Sequence, residues 1–259
     1  MDRLREPLPS RVEGLAKLPT AALAVLDAGL ATLGLADLTE PARTAVADHL
    51  RLLLAWNTAI NLTAIRDPTE AARRHVLDSL TAIPILRERG IDALLDLGSG
   101  GGFPGLPLAA VLPARRALLV ESVAKKARFL EVAAAAIGLA GRVETFAGRA
   151  EELAADRRHR ERWPAVVVRA LGGLTELAEL GLPLLAPNGV LVAWKRRGVA
   201  AELVSAGQAI EILGGDPPAV VEVDPRLGLD QHVLVVVTKT GRTPAAYPRD
   251  PAERKRRSL

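Results

Sequence analysis

The chain has 259 residues, 49% of them hydrophobic and 25% charged, which suits one large globular domain with smaller flanks rather than two full domains or a disordered chain. Cysteine is absent, so disulfides, thiolate metal ligands and a thiolate nucleophile are excluded. The formal net charge is +4, and residues 241–259 alone carry six cations against two anions, so the basic excess of the whole chain sits in its tail.

Residues 1–19 hold Pro7, Pro9, Gly14 and Pro19 and read as a loose leader without the apolar core of a signal peptide. Residues 20–88 read as a small helical subdomain. Leu23, Leu26 and Leu30 recur at helical spacing, as do Val46, Leu50, Leu53 and Leu54, and Thr39-Glu40-Pro41 is a helix start. A third helix is expected after Asp67-Pro68, carrying Arg74, His75, Asp78 and Leu80. His75 and Asp78, three apart, share a face; they either join this subdomain to the next by a local hydrogen bond or form the lip of a substrate site. Trp56, beside Asn57, Asn61 and Thr63, reads as a helix-end packing anchor.

Residues 89–240 change character. Short apolar runs at 92–97, 117–121, 143–146, 165–168 and 190–194 alternate with helix-length segments and lack strict alternation, as expected of parallel strands buried on both faces. Two more runs, 220–223 and 233–237, are separated by a short loop and predict an antiparallel final strand. An α/β, Rossmann-like sheet of seven strands with its last strand antiparallel is the arrangement of class I methyltransferases. No run of about 18 apolar residues offers a membrane span, and a cytoplasmic monomer is expected. The four histidines lie scattered without ligand spacing, so no metal is expected.

The first strand runs into Asp96-Leu97-Gly98-Ser99-Gly100-Gly101-Gly102-Phe103-Pro104-Gly105. Glycines permit positive φ and close approach of a ligand, and prolines are tolerated in a first helical turn, so strand, turn and helix make a cofactor platform. Gly100, Gly102 and Gly105 also satisfy the dinucleotide pattern. The register disfavours it, because Asp96 and Gly98 come first and a carboxylate there repels a pyrophosphate. S-adenosylmethionine carries no phosphate and a cationic sulfonium and amino group, which that carboxylate favours. Glu121, closing the second strand, can take ribose hydroxyls of either cofactor.

Beyond this loop the sequence resembles the bacterial 16S ribosomal RNA guanine-N7 methyltransferases of the RsmG (GidB) family. The resemblance runs from about Trp56 into the tail, through Trp56-Asn57 with Asn61-Leu62-Thr63, His75-Val76-Leu77-Asp78-Ser79, the loop itself, Lys125-Lys126-Ala127-Arg128-Phe129-Leu130, Gly148-Arg149-Ala150-Glu151, Arg169-Ala170, Lys195, and Thr243-Pro244 to Tyr247-Pro248-Arg249. It implies S-adenosylmethionine as methyl donor, 16S ribosomal RNA or the 30S subunit as partner, and cofactor contacts at Gly98, Phe103, Ala150, Glu151 and Arg169, with Glu121 at the ribose.

Chemical elimination points the same way. Carbon-5 pyrimidine methylation needs a cysteine; amino-group methylation commonly uses an Asn/Asp-Pro-Pro-aromatic turn where this chain has Val168-Arg169-Ala170-Leu171; a ribose 2′-O enzyme wants an aspartate at Arg169. A guanine N7 offers a free lone pair and needs positioning only. Arg169 and Lys195 end the fourth and fifth strands, at the ligand-binding edge of such sheets, and are candidate substrate contacts. Lys125, Lys126 and Arg128 read equally as a solvated helix face or a phosphate track, and the basic tail can follow a phosphate backbone. A methyltransferase acting on a small molecule or protein, a nicotinamide-dependent oxidoreductase and a nonenzymatic RNA-binding domain are the competing readings.

Overall fold

The computed structural model describes residues 8–113, 115–257 and 259; the first seven residues of the expected leader and Ser258 of the tail lie outside them. The N-terminal part comprises α1 (Thr20–Thr32), α2 (Glu40–Trp56), α3 (Pro68–Ala71), a π-helical stretch (Ala72–Leu77), α4 (Asp78–Leu80) and α5 (Ile83–Glu88). Then follow β1 (Ala93–Leu97), α6 (Gly105–Val111), β2 (Arg116–Glu121), α7 (Ala124–Ala136), β3 (Val143–Ala147), α8 (Ala150–Ala155) and β4 (Trp163–Arg169). The chain continues through α9 (Leu174–Gly181), β5 (Leu185–Arg196), α10 (Ala200–Ile212), β6 (Ala219–Glu222), β7 (His232–Thr238) and α11 (Pro251–Arg256).

The strands form one sheet in the order β3-β2-β1-β4-β5-β7-β6. β1 to β5 are parallel, while β7 runs antiparallel between β5 and β6. The chain winds outward from β1 to β3, then returns to place β4 on the other side of β1. Connections leaving β1 and β4 therefore diverge, and the crevice between them is where such sheets bind ligands.

Alternate strand residues face opposite layers, as a pleated strand requires. Leu94, Leu119, Val167, Val192 and Leu234 join a core with α1, α2, α6 and α7; Leu95, Val120, Val168, Leu191 and Val235 join a second core with α8, α9 and α10. Residues of the N-terminal helices belong to the first of these, so helical part and sheet share apolar packing. The third helix begins where Asp67 caps it, its carboxylate accepting from the Glu70 N–H at 2.8 Å. It then widens into the π-helical stretch, a distortion that concentrates at functional sites.

Two segments differ from expectation. The described part of the leader, residues 8–19, is pinned rather than loose: Trp56 donates to the Pro9 carbonyl at 2.7 Å, and Arg51 donates to the carbonyls of Val12, Leu15 and Ala16. The tail is also folded back, as described below. Trp56 otherwise packs as expected, buried with its ring 5.3 Å from Phe129, and Asn57 ties the following loop through Leu62 and Thr63.

His49 fixes α2 to the glycine turn. It is fully buried and its Nε2 lies 2.8 Å from the Gly101 carbonyl. A carbonyl only accepts, so Nε2 carries the hydrogen, while buried Nδ1 has no partner among the described residues. Burial lowers its pKa from 6.5 to about 4, because protonation would strand a charged N–H in the core. The unfolded chain therefore binds more protons between these values. Stability falls as pH drops from about 6.5 to 4, by on the order of 3 kcal/mol through this group. His49→Gln keeps a donor for Gly101 and cannot titrate; denaturant unfolding of the two proteins at pH 7 and pH 4 should show the wild type losing more stability by about that amount.

Candidate active site

The turn after β1 is held from below by two carboxylates. Gly98 (φ +70°) and Ser99 donate their N–H groups to the Val120 carbonyl at 2.9 and 3.0 Å. Glu121, at the end of β2 and 6% exposed, accepts from the Gly100 N–H at 3.0 Å through one oxygen and from the Val123 N–H at 2.8 Å through the other. Asp96 accepts from the Gly105 N–H at 3.0 Å. Glycine is required at 102, where φ is +85° and a Cβ would fall 2.9 Å from the His49 Nε2.

A cavity of about 330 Å³ opens above this turn, lined by Gly98, Gly100, Glu121, Ala150, Glu151 and, from the tail, Arg254, among others. Five of the eight residues expected at the cofactor therefore meet there: Gly98, Gly100, Glu121, Ala150 and Glu151. Lys126 lines the same cavity, which gives one cation of the Lys125–Arg128 cluster a place at the site.

Asp96, Phe103 and Arg169 are placed elsewhere. Asp96 alternates with Leu95 and Leu97, so its side chain turns away from the second core and under α6. It is 0% exposed and one oxygen has no hydrogen-bond partner among the described residues. Burial raises its pKa from 3.8 to about 7, against the Gly105 N–H bond that favours the charge. The carboxylate thus supports the turn from beneath instead of facing a ligand. Phe103 is buried between two imidazoles, 4.3 Å from His49 and 4.9 Å from His75, with the Arg169 guanidinium 5.5 Å from its centroid.

Arg169 lines a second cavity of about 430 Å³, with His75, Asp78, Trp194, Lys195 and His232. Ala170 borders both cavities and has the left-handed φ of +59°, a strained value for a residue with a Cβ. Asp78, its side chain 2% exposed, accepts from Arg169 Nη1 at 3.0 Å and sits 2.8 Å from His232 Nδ1. Arg169 also donates to the Arg74 carbonyl of the π-helical stretch. His75 and Asp78 share the face that joins helices to sheet: Asp78 meets Arg169 and His232, and His75 Nδ1 lies 3.4 Å from Arg169 Nη2 while its Nε2 pairs with the Thr63 hydroxyl at 2.7 Å. Burial, then the positive Arg169, lower the His75 pKa from 6.5 to about 4.

Lys195, a candidate RNA contact, is engaged internally. Its ammonium donates to Glu202 at 2.6 Å and to the Gly172 carbonyl at 2.8 Å, bracing the loop after β4. Sequence reasoning missed His49, Trp194, His232 and Arg254. None carries a local motif, and each matters only through residues distant in the chain.

A doubly wound sheet with an antiparallel β7 and a glycine turn facing an acidic β2 end defines a class I methyltransferase. Solved structures of that class share the fold: the O-methyltransferase of Bacillus cereus in complex with S-adenosylhomocysteine has a TM-score of 0.51 at 17% identity, covering 74% of this chain and 90% of that one. For the methyltransferase SibL the score is 0.53 at 15% identity, covering 85% and 75%. The sequence goes further, since residues 43–233 match the model of the rRNA small subunit methyltransferase G family, GidB, and the chain belongs to that family. Proteins named ribosomal RNA small subunit methyltransferase G are 40% identical in Synechococcus elongatus, over 76% of this chain and 81% of that protein, and 43% identical in Roseiflexus sp., over 76% and 83%. The relative from Symbiobacterium thermophilum is 39% identical over 89% and 95%.

Glu121→Gln removes the charge that holds Gly100 and Val123 and that faces the cavity. Charge-assisted bonds to a carboxylate are about twice as strong as neutral ones, so calorimetric titration with S-adenosylhomocysteine should show affinity lowered about tenfold or more.

Proposed function

We propose that this protein transfers a methyl group to N7 of a guanine in 16S ribosomal RNA of the small subunit, by in-line displacement without a general base. Membership in the family carries the coarser part, methylation of small-subunit ribosomal RNA with S-adenosylmethionine as donor. The residues fit that cofactor: the turn offers close backbone approach, Glu121 stands at the end of β2 where a ribose is recognised, and the lining carries both signs of charge, Glu121, Glu151 and Glu176 with Lys126, Arg149 and Arg254, as suits a ligand with both cationic and anionic groups. When bound, the donor supplies a methyl group on a positively charged sulfur.

The observation that supports N7 is the state of the second cavity, which meets the cofactor cavity at Ala170. His75 is held neutral by burial and Arg169, Asp78 is tied to Arg169 and His232, and Lys195 is tied to Glu202. Asp78, the one carboxylate among the described residues that line this cavity, is thus already engaged, and burial makes His75 a weak proton acceptor. Amino or hydroxyl acceptors lose a proton on methylation, whereas guanine N7 has an in-plane lone pair and loses none. The work left to the protein is to hold the base in line with the methyl group and to keep water out, for which the entropy of approach is lost on binding. Arg169, rigidly held by Asp78, can donate to guanine O6 or a phosphate; Lys195 acts by fixing the loop that carries Ala170.

Labelled methyl transfer to 30S particles, followed by nuclease digestion and mass spectrometry, should give 7-methylguanosine. Label on a base amino group or a ribose would overturn the proposal. Arg169→Gln separates its two candidate roles: methyl transfer to 30S should fall about tenfold or more, the cost of one charged hydrogen bond, while S-adenosylhomocysteine affinity stays within about twofold. A matching loss of cofactor affinity would put Arg169 at the donor instead.

A further inference from the structure

The tail reads in sequence as a basic arm for phosphates, yet its folded form is a strap. Lys239, 1% exposed, donates to the Leu182 and Leu213 carbonyls at 3.0 Å and to the Thr243 hydroxyl. Arg160 donates to the carbonyls of Thr243, Pro244 and Tyr247, and Glu161 accepts from the Thr243 N–H. Arg249 then grips Glu179, a carboxylate 1% exposed, through its backbone N–H at 2.9 Å, Nε at 2.8 Å and Nη2 at 2.6 Å. Asp250 caps α11 by accepting from the Ala252 and Glu253 N–H groups.

These clamps deliver Arg254 to the cofactor cavity, which it lines. Its guanidinium donates to Glu151 and, at 2.7 Å, to the Arg249 carbonyl. The side chain is only 10% exposed, and its Nε is buried with no partner among the described residues. Glu151 is nearly as buried, at 16%, and stands beside Ala150 at the start of α8.

We propose that the C-terminal strap is a wall of the cofactor cavity and that Arg254 is a positioning residue for the methyl donor, holding Glu151 in place at that wall. Docking of α11 and occupancy of the cavity are then linked: a ligand touching the docked strap stabilises it, and the docked strap raises ligand affinity by the same factor. The inference rests on this cavity being the cofactor site. Binding of S-adenosylhomocysteine to the wild type tests that premise separately.

The test is calorimetric titration of the full chain with S-adenosylhomocysteine, paired with amide exchange of residues 250–257 in the presence and absence of the same ligand. The ligand should slow exchange in the strap. Arg254→Ala should bind about tenfold more weakly, Arg254→Lys should fall between, and Arg256→Ala, an exposed cation of the same helix, should match the wild type. Should Arg254→Ala fail to fold, the lysine variant and the wild-type exchange decide. Affinity within twofold for Arg254→Ala, strap exchange indifferent to ligand, or an equal loss in Arg256→Ala overturns the proposal. So does an Arg254→Ala protein that keeps cofactor affinity but binds 30S with a smaller salt dependence, which would make the segment a phosphate arm after all.

Discussion

The carboxylate of Asp78 is the point at which the helical part, β4 and β7 are tied together. A charge with 2% of its side chain exposed is tolerable only with good partners, since desolvation costs several kcal/mol. Here the partners are Arg169 and His232, which arrive from two strands separated in the sheet by β5. The Asp78 main chain adds a third tie, its carbonyl accepting from the Trp194 indole at 2.8 Å. One short helix thereby sets the positions of the side chains at the carboxyl ends of β4 and β5 and the amino end of β7. Removing one member of a buried pair typically costs about 3 to 5 kcal/mol because the other charge is left uncompensated, so the arrangement is fixed as a unit.

The donor side is organised by the same means but with different consequences. Glu121 spends both oxygens on backbone N–H groups, which shapes the turn before any ligand arrives, and still faces the cavity. Asp96 spends one oxygen on Gly105 and is otherwise sealed in the core. Its raised pKa of about 7 means that the folded protein holds a proton there which the unfolded chain has lost, so this group reduces stability as pH rises from about 4 to 7. His49 acts with the opposite sign over a similar range. Both lie under the turn rather than in either cavity, so their titration bears on how firmly the platform stands and not on the chemistry.

The strands and the glycine turn were legible because each rests on local pattern: apolar runs of strand length, positive-φ glycines, an acidic residue closing β2. Gly98, Gly100, Glu121, Ala150 and Glu151 converge because the parallel topology that the pattern implies brings the ends of β1, β2 and β3 together. Asp96 was misplaced for a reason equally physical, since period-2 alternation turns its side chain beneath the turn and not toward the ligand. The internal pairing of the tail was not legible, because its cations find their partners far away in the chain. Glu179 lies 70 residues from Arg249, and Glu151 lies 103 from Arg254, separations at which no sequence window reports an ion pair. The same holds for Arg160, inside a run that reads as a balanced loop yet supplies three bonds to the tail.

A net charge of +4 therefore says little about how this protein meets RNA. Arg249 and Arg254 neutralise acidic groups of the protein itself, and Lys195 and Arg169 are likewise paired. Arg196 lies at the exposed end of β5 and lines the second cavity, while the buried pairs hold geometry. Such a division suits the proposed transfer to a guanine N7, which needs alignment and no proton transfer: a freely titrating base would add nothing to it, whereas displacing an arginine by an ångström would harm it. What can still change in such a site is shape. The two places where the structure leaves room for that are the strained Ala170, where the cavities meet, and the strap whose Arg254 closes one of them.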